Sequence, residues 1–530
     1  MKNILFVILA VLLISGIIFS SCASPSSSTS SPASVKTTTP VQTTKTTVTP
    51  QYGGTLSIIC TSPLAGLGTP YTAGSGYTDY ARPAIETLLG VDAQGNLVPK
   101  LATSWQVTPD GKSITFTLRK GVKFQDGTDF NAEAVKYNLS QQKSGSFKSY
   151  GTSIDVLDDY TIRVNLSQWA APFLYELSRK QGMIVSPTAA AKTPAPERVP
   201  YEQMIGTGPF KFVDWQKDVV VKYTKFDSYW NKGLPYLDNL NMGIFTNATT
   251  ALMSLQSGQG QILMYTDPKT GSDLKTKGYD VSYTPKYIFS LIPDGANADS
   301  PFADIRVRQA VEYAIDKKTI ANGLGFGLWP AWGSQIYPAG NNLNDPTLPD
   351  RTFDANKAKQ LLTEAGYPNG FKTTIIVQTA DVGDRMTALQ SYLANVGITA
   401  QLDVCDQARY ISYVKTGWKN GLMVAKLGVA NPATNPISFL TPYTVSQPNV
   451  SMYHPADFMQ LYDKTVGTSD NQQYLNLAKS LSKEIYDNAM DIPLWEETQV
   501  AASKGVHDLN PCTVKDPSQW TPDIAWLDQK

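Results

Sequence analysis

In the stretch WQVTPDGKSITFTLRKGVKFQDG, Ile114, Phe116 and Leu118 alternate with polar residues directly after the turn Pro109-Asp110-Gly111. That period of two predicts a hairpin with one buried face. The following NAEAVKYNLSQQ has Asn131 as an N-cap and Glu133 in its first turn, where the helix dipole favours an acid, so a helix follows the hairpin. Further strands are predicted at TIRVNLS, 161–167, and DVVVKYTKF, 218–226.

From Ser300 the period becomes helical. Asp304 caps a helix whose Val307, Ala310, Val311, Ala314 and Ile315 share a face. Asp354 caps another, with Ala358, Leu361, Leu362 and Ala365 inward and Gly366 as its stop. A third carries Met386, Leu389, Leu393 and Val396 and stops at Gly397. Strand-like runs, FKTTIIVQT from 371 and ITAQLDV from 398, lie between these helices. Alternation of this kind predicts an α/β lobe. From about Asp491 the tail turns strand-like again at IPLW, and no tandem repeat is present.

The N-terminal run MKNILFVILAVLLISGIIF starts with one lysine and is shorter than the ~20 apolar residues that span a bilayer, so it reads as a secretion signal. It resembles a bacterial lipoprotein signal, with Cys22 where the lipidated cysteine would stand, although Phe19 occupies the position that usually holds leucine. Residues 23–50 are mostly Ser, Thr and Pro, with little that could be buried, and are expected to form a disordered tether. Cys22 would then tie a folded domain to a membrane.

The rest of the chain is globular in composition, and its length calls for two or more lobes. Lys and Arg number 45 and Asp and Glu 45, with no long run of one sign, so nothing attracts nucleic acid. Cys60, Cys405 and Cys512 allow at most one disulfide among them.

The parts of a common enzyme are missing. Gly111-Lys112-Ser113 looks like the end of a phosphate loop, but the glycine required five residues earlier is Gln106. The two histidines, His454 and His507, form no HExxH pair, and there is no Cys-x-x-Cys, so a side-chain metal site would lack its usual ligands. No GxSxG elbow is present. Paired carboxylates of the glycosidase kind leave an extracellular hydrolase as one alternative. The aromatic residues point instead to binding: Tyr71, Tyr77 and Tyr80 cluster in a Gly-rich stretch, and GLWPAWG sets Trp329 and Trp332 between glycines and a proline.

From about Tyr52 onward the chain resembles the family 5 solute-binding proteins, the extracellular receptors of ABC importers for peptides, nickel and other solutes. The most specific match is LVPKLATSWQVTPDGKSITFTLRKGVKFQDGTDFNAEAVKYNL, Leu97 to Leu139. GTGPFKF, FDSYWNKGLPYLDNL, ALMSLQSGQGQI, FADIRVRQAVEYAIDKKTI, FDANKAKQLLTEAGYPNGF and IPLWEE follow in order.

The resemblance implies an α/β fold of the two-lobed periplasmic binding protein type II (cluster C), with an extra subdomain in the first lobe. Residues 1–21 would be the signal peptide and 22–50 the tether. Lobe I would take 51–75, 205–288 and 493–530, its extra subdomain 76–204, and lobe II 289–492. The expected function is capture of a small solute between the lobes and its delivery to an ABC permease. The protein would be a monomer without cofactor, catalytic residue or metal, held outside the cytoplasm by a lipid anchor on the cytoplasmic membrane or in the periplasm. A surface sensor subunit of the same fold is the other alternative.

Expected ligand contacts are Thr61, Ser62 and Tyr77 after the opening strand, then Trp329, Trp332 and Asn431, with Trp495 near the hinge return. One departure bears on the solute. Peptide-binding members carry W-x-x-D-x-x-D-P-x-x-F, whose aspartate pairs with the peptide's ammonium. Here VANPATNPISFL has Val429, Pro432 and Asn435 at the tryptophan and the two acids, and resumes at Pro436 and Phe439. A buried ammonium without a carboxylate carries a penalty of several kcal/mol, so an ordinary peptide with a free N-terminus is not expected to bind.

Overall fold

The computed structural model describes residues 49–71, 77–92, 96–143, 145–169, 172–191, 204–339, 341, 343–428, 449–509 and 521–528. Contacts divide the chain into Met1–Thr49 and Pro50–Lys530, and the fold below is that of the second unit. Cys22, Asn431, the segment 429–440 and Cys512 lie outside the described residues.

After β1 (Thr55–Cys60) come a short antiparallel pair, β2 (Leu89–Val91) and β3 (Leu97–Pro99), and a separate sheet. That sheet contains β4 (Ala102–Val107), β5 (Ser113–Leu118), β6 (Gly151–Asp158) and β7 (Thr161–Leu166) in the order β4-β5-β7-β6. The alternation in β5 puts Ile114, Phe116 and Leu118 into one core cluster, together with Val135 and Leu139 of the helix Ala132–Ser140. Asn131 caps that helix, its Oδ1 accepting from Ala134 N at 3.0 Å. The β4–β5 turn is held by Asp110, whose Oδ1 accepts from Thr108 Oγ1 at 2.7 Å and Lys112 N at 3.0 Å. Gly111 closes it at φ +67°, where a side chain would be strained and a Cβ would lie 2.7 Å from Trp169 Cβ.

The remaining long strands form one sheet of ten. They are β8 (Phe210–Gln216), β9 (Val220–Lys225), β10 (Asn239–Ile244), β11 (Ile262–Thr266), β12 (Asp280–Pro293), β13 (Phe371–Gln378), β14 (Ile398–Cys405), β15 (Gly421–Gly428) and β16 (Ile492–Ser503), joined by β1. Their order is β14-β13-β15-β12-β16-β11-β1-β10-β9-β8. A last pair, β17 (Val506–His507) and β18 (Trp526–Leu527), stands apart.

Two parallel groups, β10-β1-β11 and β14-β13-β15, meet through the antiparallel pair β12 and β16. On β16 the pairing with β11 ends at Val500, opposite Thr266. On β12 the pairing with β15 begins at Tyr287, opposite Gly428. Between those points the sheet narrows to a two-strand crossing, in which Thr284 pairs with Gln499 and Pro285 with Thr498.

The helical periods of the second half appear where the sequence places them. Asp304 Oδ1 accepts from Arg306 N at 2.8 Å and starts Ile305–Ala314. Asp354 Oδ1 accepts from Asn356 N and Lys357 N and starts Ala355–Glu364. With Asp384–Asn395 these helices cover one face of the sheet, burying Val307, Val311, Leu362, Met386 and Leu389 against Ile375 and Val377 of β13. Burial of each such side chain stabilises by about 1.5–3 kcal/mol. On another face, Ile288, Ile292 and Met423 pack under Phe458–Val466 and Asn471–Asp487. Cys60 and Cys405 are buried in different clusters and are not bridged to each other.

Candidate functional site

Strand register builds the site at the inner end of the crossing. Tyr287 of β12 lies opposite Glu497 of β16; Phe289 lies opposite both Trp495 and, on β15, Lys426. Residues two apart on a strand share a face, so Tyr287 and Phe289 stand beside Trp495 and Glu497 on one surface. Tyr287 OH donates to Glu497 Oε2 at 2.7 Å. Arg385, in the first turn of Asp384–Asn395, donates to Glu497 Oε1. Lys426 Nζ pairs with Asp381 Oδ1 at 2.6 Å.

Behind this polar rim the aromatic rings are packed into the core, with Phe289 fully buried. Phe289 and Trp495 stack with centroids 5.0 Å apart at 6°, and Trp329 continues the stack on Trp495 at 6.2 Å and 1°. Trp329 is delivered by loop 328–332, which runs along the free edge of β16. Glu496 N donates to Pro330 O at 2.9 Å, and Trp332 N to Leu494 O at 3.0 Å. Thr498 Oγ1 donates to Leu328 O at 3.1 Å. The guanidinium carbon of Arg385 lies 5.3 Å from the Phe289 centroid. Trp495 is fully buried, and neither its indole N–H nor that of Trp329 has an acceptor among the described residues.

Lys286 stands beside this rim. The β12–β16 ladder slips between Pro285 and Tyr287, so Lys286 is the extra residue of a bulge, a device that re-aims a side chain. It is exposed, yet partial loss of hydration pushes its ammonium pKa down. Glu497 opposes that shift, Lys426 and Arg385 add to it, and Asp381 opposes it. Lys286 Nζ and Lys426 Nζ each lie 5.2 Å from the centroid of the Tyr287 ring. Burial first, then the Glu497 charge, pushes the Tyr287 phenol above its ordinary range.

On the other side of the crossing, Thr61 Oγ1 donates to Tyr265 O at 2.9 Å and sits 3.2 Å from Met264 O, tying the end of β1 to β11. Tyr265 has φ +63°, a strained conformation for a residue with a large side chain, at a second register slip between Met264 and Thr266. Burial raises the pKa of the adjoining Asp79, against a hydrogen bond from Tyr265 and the charge of Arg82.

Of the residues expected from sequence, Trp329 and Trp495 are brought together in one stack. Thr61 and Ser62 lie across the crossing, with Ser62 O accepting from Tyr80 OH at 3.0 Å. Tyr77 is buried and donates to Gly68 O at 2.7 Å, a packing role. Trp332 is also buried, its indole donating to Gln335 O at 3.0 Å, in the cluster that holds Ile336 and Tyr337. Beside it is a cavity of about 380 Å³ bounded by Lys317 and Arg351, but Glu312 already accepts from both.

Sequence reasoning missed Lys286, Tyr287, Asp381, Arg385, Lys426 and Glu497. One signal was available: Glu497 follows the apolar run IPLW in a strand, and a buried acid requires partners.

The family model for bacterial extracellular solute-binding proteins, family 5 Middle, matches residues 96–451. Heme-binding protein A of Haemophilus influenzae is 30% identical over 464 residues, 78% of this chain and 81% of that protein. The glutathione-binding protein GsiB of Shigella flexneri is 29% identical over 459 residues, 82% of this chain and 87% of that one. Among solved structures, HbpA2 from Haemophilus parasuis has the same fold at a TM-score of 0.77 and 23% identity, covering 90% of this chain and 100% of its own.

Proposed function

Because the chain belongs to the family 5 bacterial extracellular solute-binding proteins and is the substrate-binding component of an ABC importer, we propose that it captures its solute at the β12–β16 crossing and that this solute is not an ordinary peptide with a free N-terminus. The observation that carries this reading is the charged rim on one surface of the crossing, where the two halves of the sheet meet. Both carboxylates of that rim already have cations: Glu497 has Arg385 and Asp381 has Lys426. Neither is left for a ligand ammonium, and 427–440 supplies no further acid. A solute held against both sides of the crossing favours a closed form only by binding it more tightly than the open one.

The resemblance to a lipoprotein signal supports attachment of the chain through Cys22, with 23–50 as tether. Among the described residues no helix is long and apolar enough to cross a membrane.

Thermal shift tests the reading, using heme, glutathione, di- to pentapeptides, nickel with and without chelators, sugars and small aromatic acids. A solute at ~100 times its dissociation constant stabilises by roughly 2.7 kcal/mol. We expect a shift from a non-peptide or N-blocked solute and none from unmodified peptides. A clear shift with unmodified peptides rules the solute assignment out.

A further inference from the structure

A cavity of about 670 Å³ lies apart from the crossing, between the β4–β5 turn and the helix Phe458–Val466. Small-molecule sites occupy roughly 300–1,000 Å³, and none of the residues lining this one belongs to the charged rim. One wall is aromatic. Trp169 follows β7 and Tyr150 precedes β6, and Ser167 N donates to Tyr150 O at 2.8 Å, which sets the two segments side by side. The other wall is one helix face, where Met459, Tyr462 and Val466 recur at helical spacing. These three are only partly buried, so that face keeps apolar surface for an occupant. The walls meet beside the cavity: Ser469 Oγ donates to Pro109 O at 3.4 Å, and a Cβ on Gly111 would lie 2.7 Å from Trp169 Cβ and 3.3 Å from Ser469 Cβ.

An independent observation singles out Trp169. Its side chain is 8% exposed and its indole N–H has no acceptor among the described residues, although buried donors are nearly always paired. A ring on the wall of a cavity with such a donor calls for an acceptor. The lining also restricts the charge of the molecule that brings it. Asp110 and Asp463 stand there with one cation, Lys112, and none of the three has an ion pair among the described residues. An anion would meet a surplus of negative charge, and a cation would meet the positive end of the indole N–H.

We propose that this cavity is a second binding site, for a neutral molecule with an apolar aromatic body and a carbonyl oxygen that accepts from Trp169. A ligand held by both walls ties the β4–β5 turn to the helices that pack on the ten-stranded sheet.

Benzophenone and diphenylmethane test this, since they share two rings and differ only in a carbonyl in place of a methylene. In calorimetric titration of the full chain we expect benzophenone to bind about fivefold tighter or more, the effect of one hydrogen bond to a donor otherwise unpaired. Trp169→Phe keeps an aromatic ring, removes the N–H and should bring the two affinities together. Irradiated benzophenone inserts into neighbouring C–H bonds and so reports its location in the wild-type protein, where adducts should fall in 150–169 and 459–467. Equal affinities for the two probes overturn the proposal, and so does a preference that survives Trp169→Phe. Adducts concentrated at the crossing, or binding of neither probe, overturn it as well. Should Trp169→Phe fail to fold, the wild-type affinity ratio and the adduct positions decide.

Discussion

Glu312 is a carboxylate without solvent and with two cations. Lys317 Nζ lies 3.1 Å from one of its oxygens and Arg351 Nη1 2.9 Å from the other. Arg351 also donates to Tyr486 O at 2.9 Å and lies 3.9 Å over the Tyr486 ring, so its position is fixed independently. Glu312→Ala leaves two buried cations without their acid, and we expect a loss of about 3–5 kcal/mol in urea unfolding. An unchanged midpoint and slope would mean that water reaches the site and the triad is not structural. Sequence offered the caps at this scale: Asn131, Asp304 and Asp354 act on backbone within three residues, which a linear reading can see. It could not offer Arg351 with Glu312, 39 residues apart, nor Arg385 with Glu497, 112 apart, because nothing in either local pattern names the other.

Elements with a regular period were legible for a related reason. The helices Ile305–Ala314, Ala355–Glu364 and Asp384–Asn395 and the strands β13 and β14 each repeat one contact with the core, so their apolar positions repeat too. β12, the strand on which the site is built, has no such signature. Pro285 lies inside it and the bulge at Lys286 breaks its alternation, so its 14 residues look irregular in sequence. Loop 328–332 was visible as GLWPAWG but its placement was not, since it borrows its order from β16 through backbone bonds at Glu496 and Trp332 and the Thr498 hydroxyl. Thr498→Val keeps the side-chain shape and removes that hydroxyl, leaving Leu328 O short of a donor in a buried place. We expect a cost of about 1–2 kcal/mol and faster amide exchange at Trp332 and Glu496, where the loop is stitched to the strand. Exchange at wild-type rates would show that the two backbone bonds hold Trp329 in the stack without Thr498.

On the scale of the whole molecule, the return of the tail to strand character at IPLW was readable, but its destination was not. β16 comes back to lie between β11 and β12, joining parts of the chain more than two hundred residues earlier, and periodicity carries no address. Only the resemblance implied that both ends of the chain would share a lobe. The tether poses the complementary case, in which sequence carries the argument. A solute receptor works beside its permease, and if the N-terminal run is removed as a secretion signal, an anchor at Cys22 would keep the chain there. A diacylglycerol thioether on Cys22 would add about 0.8 kcal/mol of membrane affinity per buried methylene, so paired acyl chains hold a protein firmly. We therefore expect the protein to fractionate with membranes and to incorporate labelled fatty acid. Cys22→Ala should abolish the label and release the protein to the soluble fraction. Its thermal response to solutes should be unchanged, because every residue of the charged rim lies in the unit Pro50–Lys530. Equal partition of the two proteins would assign membrane association to something other than this thiol.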